Sequence, residues 1–180
     1  MAKIEFAKYG ISFSSGCAAM NALFTIFEPG DHIISCDDVY GGTNRMLRKV
    51  LVKFGIEVSF VDMHHLEKLE KEIKPNTKLI WIETPTNPLL TIIDISAVVK
   101  MVKDKNILVA IDNTFASPIL QSPMLLGVDV VVHSCTKYIG GFSDIVAGVM
   151  VLNSKEIYDK VFFNLMTNGG CLAPMEAFLL

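Results

Sequence analysis

The sequence predicts an α/β protein in which a mainly parallel β-sheet is packed between helices. Of the 180 residues, 51% are hydrophobic and the mean hydropathy is +0.44, so several segments are expected to be buried on both sides. No stretch approaches the roughly 18 consecutive apolar residues that a bilayer span requires. Short β-branched runs alternate with segments of helical period, which is typical of βαβ units with right-handed crossovers.

Seven short runs rich in branched apolar residues are the predicted strands. The first is GISF at residues 10–13, which precedes a Ser-Ser-Gly helix start. The other six are residues 32–36, 57–62, 78–83, 107–112, 128–133 and 146–152. Because these runs are almost continuously apolar rather than alternating, they favour a covered sheet over a sheet with one solvated face.

The predicted helices are segments in which apolar residues return every three or four positions. They are an Ala-rich helix that begins near residue 16, and residues 43–54, 66–73, 95–104 and 174–180. The last pattern reaches Leu180 without a capping or stop signal and carries an apolar end. We therefore expect residues 1–180 to be one incomplete domain of a longer protein.

Charge and cysteine patterns exclude several classes of partner. The formal net charge of −3 comes from interspersed acidic and basic residues, without the basic cluster that nucleic-acid binding requires. We expect neither a nucleic acid nor a membrane as partner. The four cysteines lack CxxC or metal-ligand spacing, which predicts reduced thiols and no metal site. The N-terminal residues lack the apolar core of a signal peptide, which favours a cytoplasmic protein. His64, His65 and His133 are interpreted as structural or solvated.

Side chains suited to chemistry follow the ends of the predicted strands. The Ser-Ser-Gly start offers helix N-terminal N–H groups to an anion, and the later strand ends carry an aromatic, carboxyl groups, an amide and a lysine. The candidate residues at the strand ends are Gly16, Tyr40, Glu83, Asn87, Asp112, Ser134, Thr136 and Lys137. Because ligands of open α/β sheets bind outside the carboxyl ends of the strands, we expect these residues to line one crevice.

This combination of groups fits pyridoxal 5′-phosphate (PLP). A lysine can form a Schiff base with the cofactor, a carboxylate can keep the pyridine nitrogen protonated, and an aromatic ring can stack on the pyridine. The stretch SCTKYIGG places no carboxylate beside Lys137. An amine that must react in its neutral form is hindered by a tight ion pair, so this absence favours the imine-forming role.

Each residue alone also has an ordinary explanation. A lysine after a strand is most often a solvated loop residue, Asp112 in Asp-Asn-Thr is more often an Asx turn or a helix cap, and Tyr40 is compatible with an ordinary turn. The Ser-Ser-Gly helix start is common, and it lacks the GxGxxG spacing of a dinucleotide site, which counts against an oxidoreductase. The prediction of a PLP site therefore depends on all of these residues occurring together, and not on any one of them.

Taken in order, the motifs resemble one family, the PLP-dependent trans-sulfuration enzymes of cysteine and methionine metabolism. The matching segments are AKYGISFSSG, DDVYGGTNR, IETPTNPL, DNTFASP, LGVDVVVHSCTKYIGG and SDIVAGV, which together cover nearly the whole chain. The resemblance implies a PLP-dependent transferase-like large domain of fold type I, the aminotransferase class.

The resemblance also implies roles for the candidate residues. The catalytic residues are Lys137, which is similar to the Schiff-base lysine, Asp112, which is similar to the pyridinium partner, and Tyr40, which stacks on the ring. Asn87 is expected to reach the 3-oxygen of PLP. The expected phosphate ligands are the N–H groups of Gly16 and Cys17 and the hydroxyls of Ser134 and Thr136. Glu83 and Thr114 are further candidate cofactor-binding residues.

The implied activity is cleavage of a carbon–sulfur bond in cystathionine or a related thioether amino acid. The stretch FFNLMTNGGCLAPMEAFLL resembles the cystathionine β-lyases, whereas DDVYGGTNR is equally similar to the γ-lyases. Cystathionine γ-synthase and methionine γ-lyase share these motifs, and the family forms homo-oligomers, dimers or tetramers. The alternative from another class is a truncated or inactive isoform that keeps the fold and serves as a subunit partner.

The chain departs from the family pattern in two respects. Phe142 stands where the family commonly has a histidine, which removes a polar group near the lysine loop. An upstream Tyr-x-Arg segment that contacts the neighbouring subunit's phosphate, and a small C-terminal domain with the carboxylate-binding arginine, are both expected to be absent. Loss of a bidentate arginine removes an anchor for the amino-acid substrate.

Overall fold

A computed structural model describes all of residues 1–180 and contains one seven-stranded sheet. Its strands are β1 Tyr9–Phe13, β2 His32–Cys36, β3 Glu57–Val61, β4 Thr77–Glu83, β5 Leu108–Asp112, β6 Val130–Ser134 and β7 Gly148–Leu152. Their order across the sheet is β1-β7-β6-β5-β4-β2-β3. Each of the seven predicted runs forms a strand, and the predicted α/β class is confirmed.

Strand β7 is the exception to the parallel arrangement. It pairs antiparallel with both β1 and β6, whereas β2–β3, β2–β4, β4–β5 and β5–β6 are parallel pairs. Two antiparallel steps restore the original direction, so β1 runs the same way as β6. The carboxyl ends of every strand except β7 therefore lie at one edge of the sheet.

The helices are α1 Gly16–Phe24, α2 Gly41–Lys49, α3 Leu66–Glu72, α4 Ile95–Val102, α5 Ser117–Leu120, α6 Lys155–Asn168 and α7 Pro174–Leu179. The central strands are buried along their length, and the fully buried Trp81 of β4 packs edge-on against Phe24 of α1 with ring centroids 4.9 Å apart. Such burial on both sides explains the continuous apolar runs of the sequence. No helix of the chain is both long and apolar enough to span a bilayer.

The predicted helix at 43–54 is wrong in its extent. Helix α2 ends at Lys49, and a separate 3₁₀ turn spans Leu51–Phe54 before Gly55 adopts a left-handed conformation with φ of 80°. The apolar period continues through both pieces, but β-branched Val50 and Val52 lie at the junction and are poor helix formers. The regular spacing of apolar residues therefore predicted one helix where the structure has an α-helix followed by a 3₁₀ turn.

Helix α6 was not predicted, although its signals are present in the sequence. Ser154 caps its N-terminus by accepting a hydrogen bond from the Ile157 N–H, and Gly169 ends it with φ of 73°. Ile157, Val161 and Leu165 are buried at a spacing of four residues. This is the pattern of an amphipathic helix with standard N- and C-terminal caps.

Candidate active site

One cavity of about 440 Å³ lies at the carboxyl edge of the sheet. It is lined by all ten residues selected from the sequence, namely Gly16, Cys17, Tyr40, Glu83, Asn87, Asp112, Thr114, Ser134, Thr136 and Lys137. Four more residues line it, namely Ser15, Met20, Phe115 and Val146. The strand ends therefore meet in one crevice, as the direction of the strands requires.

Helix α1 begins directly in the wall of the cavity. Its N-cap is Ser15, whose hydroxyl oxygen accepts a hydrogen bond from the Ala18 N–H at 3.0 Å. A Cβ placed on Gly16 would lie 2.9 Å from the Cβ of Ser134, so only glycine lets the helix approach β6 this closely. The first N–H groups of a helix have no partner within it, and the first turn of α1 carries no acidic residue. This helix end suits an anion such as a phosphate.

The hydroxyls of Thr114 and Thr136 already have partners within the chain. Thr114 Oγ1 accepts a hydrogen bond from the Ser134 N–H at 2.8 Å and so links the ends of β5 and β6. Thr136 Oγ1 donates to the Ala147 carbonyl at 3.2 Å and accepts from the Ala147 N–H at 3.1 Å. A phosphate bound by Thr136 would therefore share a hydroxyl that also fixes the segment before β7.

Lys137 is an exposed lysine in the turn that follows β6. It takes part in none of the seven ion pairs of the chain. The turn is closed by hydrogen bonds from the Gly140 N–H to the Cys135 carbonyl at 2.8 Å and from the Gly141 N–H to the Lys137 carbonyl at 2.9 Å. The backbone around the amine is thus fixed while the amine itself remains unpaired.

Tyr40 precedes helix α2, and its side chain lies beside Gly42; the two glycines predicted to form a turn are the first residues of this helix. A Cβ placed on Gly42 would lie 2.3 Å from Cε1 of the Tyr40 ring, whereas one on Gly41 would contact nothing. The Tyr40 N–H donates to Glu83 Oε2 at 3.0 Å. The ring position therefore depends on the absence of a side chain at residue 42.

Two carboxyl groups, Glu83 and Asp112, share the floor of the cavity. Burial and the neighbouring Asp112 raise the pKa of Glu83 to about 8, although hydrogen bonds from the backbone of Tyr40 and Asn87 oppose the shift. Burial also raises the pKa of Asp112, while hydrogen bonds from Thr114 and the charge of His133 lower it. The site lacks enough positive charge to stabilise both carboxylates, and a cation bound beside Asp112 would be stabilised.

The loop that carries Asn87 is held to the sheet by Asp38. The Asp38 carboxylate accepts hydrogen bonds from the Thr86 hydroxyl and from the Leu89 N–H, the latter at 2.9 Å. The Thr84–Pro85 and Asn87–Pro88 peptide bonds are cis. Asn87 itself is half-buried at the cavity wall.

Phe142, which departs from the family motif, lies outside this set of residues. Its side chain is 87% exposed, and it is not part of the cavity wall. In this chain the residue after the lysine loop faces solvent rather than the candidate site.

A second, larger cavity of about 870 Å³ lies at the opposite edge of the sheet. Its wall includes Asp31, Lys78 and Asp129, which stand at the amino ends of β2, β4 and β6. It contains none of the ten candidate residues. Ligands of open parallel sheets bind at the carboxyl edge, so we assign the candidate site to the smaller cavity.

The fold and the smaller cavity together define a class of protein. An unpaired lysine, a buried carboxyl group that favours a cationic partner, an aromatic ring and an anion-binding helix end face one space. These are the groups that hold PLP, whose phosphate is anionic and whose pyridine nitrogen is cationic when protonated. The residues present fit the cofactor, and the class is that of PLP-binding α/β enzymes.

The family is identified by comparison with known proteins. A family model described as "Cys/Met metabolism PLP-dependent enzyme" matches residues 1–180, and the chain belongs to this family. The family assignment made from the motifs is thereby confirmed, as is PLP as the cofactor of the family.

Individual relatives are similar along almost the whole chain. Cystathionine gamma-lyase of Bacillus subtilis (strain 168) is 48% identical over 178 residues, and cystathionine beta-lyase of Lactococcus lactis subsp. cremoris (strain MG1363) is 46% identical over 179 residues. Each match covers 99% of this chain and 47% of the relative. The crystal structure of cystathionine gamma-lyase from Lactobacillus plantarum complexed with L-serine superposes with a TM-score of 0.97 at 46% identity, covering 99% of this chain and 47% of that one. The chain thus spans about half the length of these relatives.

Four cavity residues were not among those selected from the sequence. They differ in whether a local sequence signal marks them. Ser15 is a recognisable N-cap, Met20 lies one helical turn after Gly16, and Phe115 follows the Asp-Asn-Thr motif. Val146 reaches the site because the segment before β7 returns antiparallel to β6. No local sequence signal distinguishes Val146 from other apolar loop residues.

Proposed function

We propose that residues 1–180 form the PLP-binding large domain of a carbon–sulfur lyase that acts on cystathionine or a related thioether amino acid. The observation that carries the proposal is the meeting of Lys137, Asp112 and the start of helix α1 in one cavity. The names of the relatives, which include both a cystathionine gamma-lyase and a cystathionine beta-lyase, support this reaction class.

The proposed roles follow from the position and chemistry of each group. Lys137 Nζ would hold the cofactor, and its neutral amine would be the base that accepts the substrate Cα proton. Asp112 provides a negative charge at the floor of the site for the pyridine nitrogen. The Tyr40 ring would stack on the pyridine ring. The N–H groups of Gly16 and Cys17, with the Ser134 and Thr136 hydroxyls, bind the phosphate. PLP, when bound, supplies the electron sink for the pair of electrons left at Cα.

Three further assignments remain predictions. Asn87 is proposed to hold the cofactor's 3-oxygen, Thr114 to orient Asp112 through the hydrogen bond from its N–H to Asp112 Oδ1 at 2.9 Å, and Glu83 to hold the backbone of Tyr40. We also propose a cytoplasmic homo-oligomer, as the N-terminal residues and the family resemblance predict.

The position of bond cleavage is left open between the β and γ carbons. Relatives of both types are almost equally similar to the chain, at 46% and 48% identity. Cystathionine γ-synthase and methionine γ-lyase activities are alternatives within the same class. The retained lysine and carboxylate favour a catalytic protein over the alternative of an inactive subunit partner.

The proposal is tested by incubating the protein with PLP and cystathionine and identifying the products by mass. A β-lyase releases homocysteine and a γ-lyase releases cysteine, and each also yields a keto acid. Bound PLP is followed separately by its visible absorbance band. A chain that binds PLP but releases neither homocysteine nor cysteine from cystathionine, nor methanethiol from methionine, contradicts the lyase proposal and supports the subunit role.

A further inference from the structure

His32, the first residue of β2, contacts polar side chains of both neighbouring strands at the amino edge of the sheet. Its Nδ1 lies 2.8 Å from Thr77 Oγ1 of β4, and its Nε2 lies 2.9 Å from Ser59 Oγ of β3. The Ser59 hydroxyl in turn donates to Glu72 Oε1 of helix α3 at 2.6 Å. His32 and Thr77 are buried, at 0% and 3% exposure. The imidazole ring therefore joins β2 to β3 and β4 and, through Ser59, to α3.

The direction of these hydrogen bonds determines which nitrogen of the neutral ring carries the hydrogen. A serine hydroxyl has one hydrogen, and Ser59 gives it to Glu72, so Ser59 Oγ accepts from His32 Nε2. Thr77 Oγ1 accepts from the Lys74 N–H at 2.8 Å, and its own hydrogen has no acceptor other than His32 Nδ1. The neutral ring therefore carries its hydrogen on Nε2 and accepts at Nδ1.

A second proton on the ring would break one of these hydrogen bonds. Once protonated, Nδ1 is a donor and can no longer accept from the Thr77 hydroxyl. That hydroxyl is then a buried donor without an acceptor, which is unfavourable. The Ser59 contact is unaffected, because Nε2 is a donor in both forms of the ring. The neutral ring is thus the form that satisfies every polar group in contact with it.

The charged groups that act on the ring come from β3, from α3 and from the loop between α3 and β4, namely Glu57, Glu72 and Lys74. Burial and the positive charge of Lys74 lower the pKa of His32, and the two carboxylates oppose this shift without reversing it. Two other charged residues, Asp31 and Lys78, are chain neighbours of His32 and Thr77, and both line the larger cavity. The surroundings of the ring therefore also favour its neutral form.

The elements joined at His32 include the edge of the sheet. Strand β3 is last in the sheet order and pairs only with β2, and α3 is a helix of seven residues that follows β3. Elements that are held on one side only open more readily than the central strands of a fold. A contact that depends on the protonation of His32 can therefore control how firmly residues 57–72 are attached.

We propose that His32 is an acid-sensitive switch at the edge of the sheet. The neutral ring, with its hydrogen on Nε2, holds β3 and α3 to β2 and β4. Protonation of the ring breaks the contact with Thr77 and loosens residues 57–72. None of these side chains lines the candidate active site, so the switch is independent of the proposed function.

The direction of the pH dependence follows from proton binding. The pKa of His32 in the folded protein lies below its usual value of 6.5. Between these two values the unfolded segment binds a proton that the folded segment does not. The contribution of His32 to stability is therefore complete above pH 6.5 and is lost as the pH falls below it, toward the pKa of the folded state.

The first measurement is ¹H–¹⁵N NMR of the histidine rings in the uniformly labelled chain, in which each tautomer has distinct nitrogen shifts. The His32 signals are those that His32→Gln removes. At about pH 7.5 we expect the Nε2–H tautomer, and on acidification we expect a protonation midpoint below the usual 6.5. An Nδ1–H tautomer, or a midpoint above that value, overturns the proposal.

The second measurement is amide hydrogen exchange, corrected for its intrinsic pH dependence. Between about pH 7.5 and about pH 5.5 the protection of residues 57–72 should fall roughly three- to tenfold, since one pKa unit corresponds to about tenfold. Protection of β5 should stay within about twofold. His32→Gln should lower the protection of residues 57–72 at both pH values but remove the difference between them, because no ring is left to protonate.

His64→Gln is the matched control, since His64 is an exposed histidine. It should keep the pH dependence of the parent. A pH-dependent loss of protection that persists in His32→Gln overturns the proposal, as does protonation of His32 without loss of protection at residues 57–72. A purely structural role for His32 would lower protection in the variant and leave its pH dependence unchanged.

Lys74→Gln provides a second variant should His32→Gln fail to fold. Lys74 is exposed, and its Nζ lies 3.4 Å from Glu57 Oε2. Removing its positive charge should raise the protonation midpoint of His32 and move the pH at which residues 57–72 lose protection by the same amount. Unequal shifts of the two midpoints overturn the proposal. Neither measurement uses PLP, so failure of the switch leaves the proposed function unaffected.

Discussion

Glu83 and Asp112 are register partners on the adjacent parallel strands β4 and β5. Paired residues of neighbouring strands lie side by side, so two carboxyl groups meet at the buried carboxyl edge of the sheet. Like charges at this distance disfavour double ionisation. One of the two carboxyl groups therefore keeps its proton, and the other is available as a carboxylate. Because the pKa of Glu83 is raised to about 8, Glu83 is the protonated partner at neutral pH.

The first prediction concerns the pH dependence of stability. The pKa of Glu83 rises from 4.5 to about 8 in the folded protein, so between these values the folded state holds a proton that the unfolded state has lost. Its contribution to the free energy of unfolding is complete below pH 4.5 and is lost as the pH rises through about 8. Glu83→Gln cannot lose this proton. Between about pH 5 and pH 9 the variant should lose less stability than the parent, by at least about 1.4 kcal/mol, the value of one pKa unit.

Urea unfolding at the two pH values measures this difference. Glu70→Gln on α3 is the matched control, since Glu70 is exposed and its substitution should leave the pH dependence of the parent unchanged. Glu83→Gln also removes a like-charge neighbour of Asp112, so its pH profile reports the carboxyl pair, whereas Glu70→Gln leaves both carboxyl groups unchanged. Parallel pH profiles for Glu83→Gln and the parent would contradict the assignment of the proton to Glu83.

The second prediction concerns Asp112→Asn. The asparagine carbonyl can still accept the hydrogen bond from the Thr114 N–H, which is 2.9 Å long in the parent, so the loop geometry should persist. The variant should retain part of its PLP but lose exchange of the substrate Cα proton, because a neutral amide no longer favours a protonated ring nitrogen. Exchange is followed by proton NMR in deuterated buffer. Exchange at the parent rate would show that another group fixes the ring.

Much of this site could be predicted from the sequence because the relevant signals are local. Each strand is a compact apolar run, and a candidate residue follows within a few positions of its end, as Asp112 follows ILVAI and Lys137 follows VDVVVH. The common direction of parallel strands then brings residues distant in the chain to one edge. The strand ends, together with the family resemblance, were therefore sufficient to select ten residues that line a single cavity.

The features that escaped prediction depend on long-range pairing. Glu5 and His133, whose buried side chains are hydrogen-bonded, are 128 residues apart, and an acidic residue in an N-terminal segment has no local mark of burial. Val146 enters the cavity only because β7 runs antiparallel to β6. Neither the direction of β7 nor the docking of residues 1–8 is encoded in a short pattern, since both are decided by which surfaces of the assembled sheet remain to be covered.

The third prediction tests the attachment residue. Lys137→Ala should abolish covalent fixation of PLP after borohydride reduction, because no other amine is expected to reach the cofactor, and it should leave the fold intact since the side chain is exposed. Lys49→Ala, at the exposed end of α2, is the control and should label like the parent. Mass spectrometry of tryptic peptides locates the label. Stoichiometric labelling of the Lys137→Ala protein would refute the assignment.

The fourth prediction uses the two adjacent glycines under Tyr40. An alanine Cβ at residue 42 would lie 2.3 Å from Tyr40 Cε1, whereas a Cβ at residue 41 would meet nothing within 4 Å. The tyrosine side chain is 44% exposed, so it can rotate away, and alanine is a better helix former than glycine at either position. Gly42→Ala should therefore keep or raise the thermal stability but displace the ring from the cavity.

The displaced ring should weaken PLP binding in Gly42→Ala by roughly two- to twelvefold, since an aromatic stacking contact contributes about 0.5–1.5 kcal/mol. Gly41→Ala should bind PLP like the parent while gaining the same helix propensity. Fluorescence titration with PLP measures both affinities, and Tyr40→Ala gives the limit for complete loss of the ring. If Gly42→Ala binds as tightly as Gly41→Ala while Tyr40→Ala binds weakly, the ring tolerates the new side chain and the turn does not fix its position. If all three bind like the parent, Tyr40 does not stack on the cofactor.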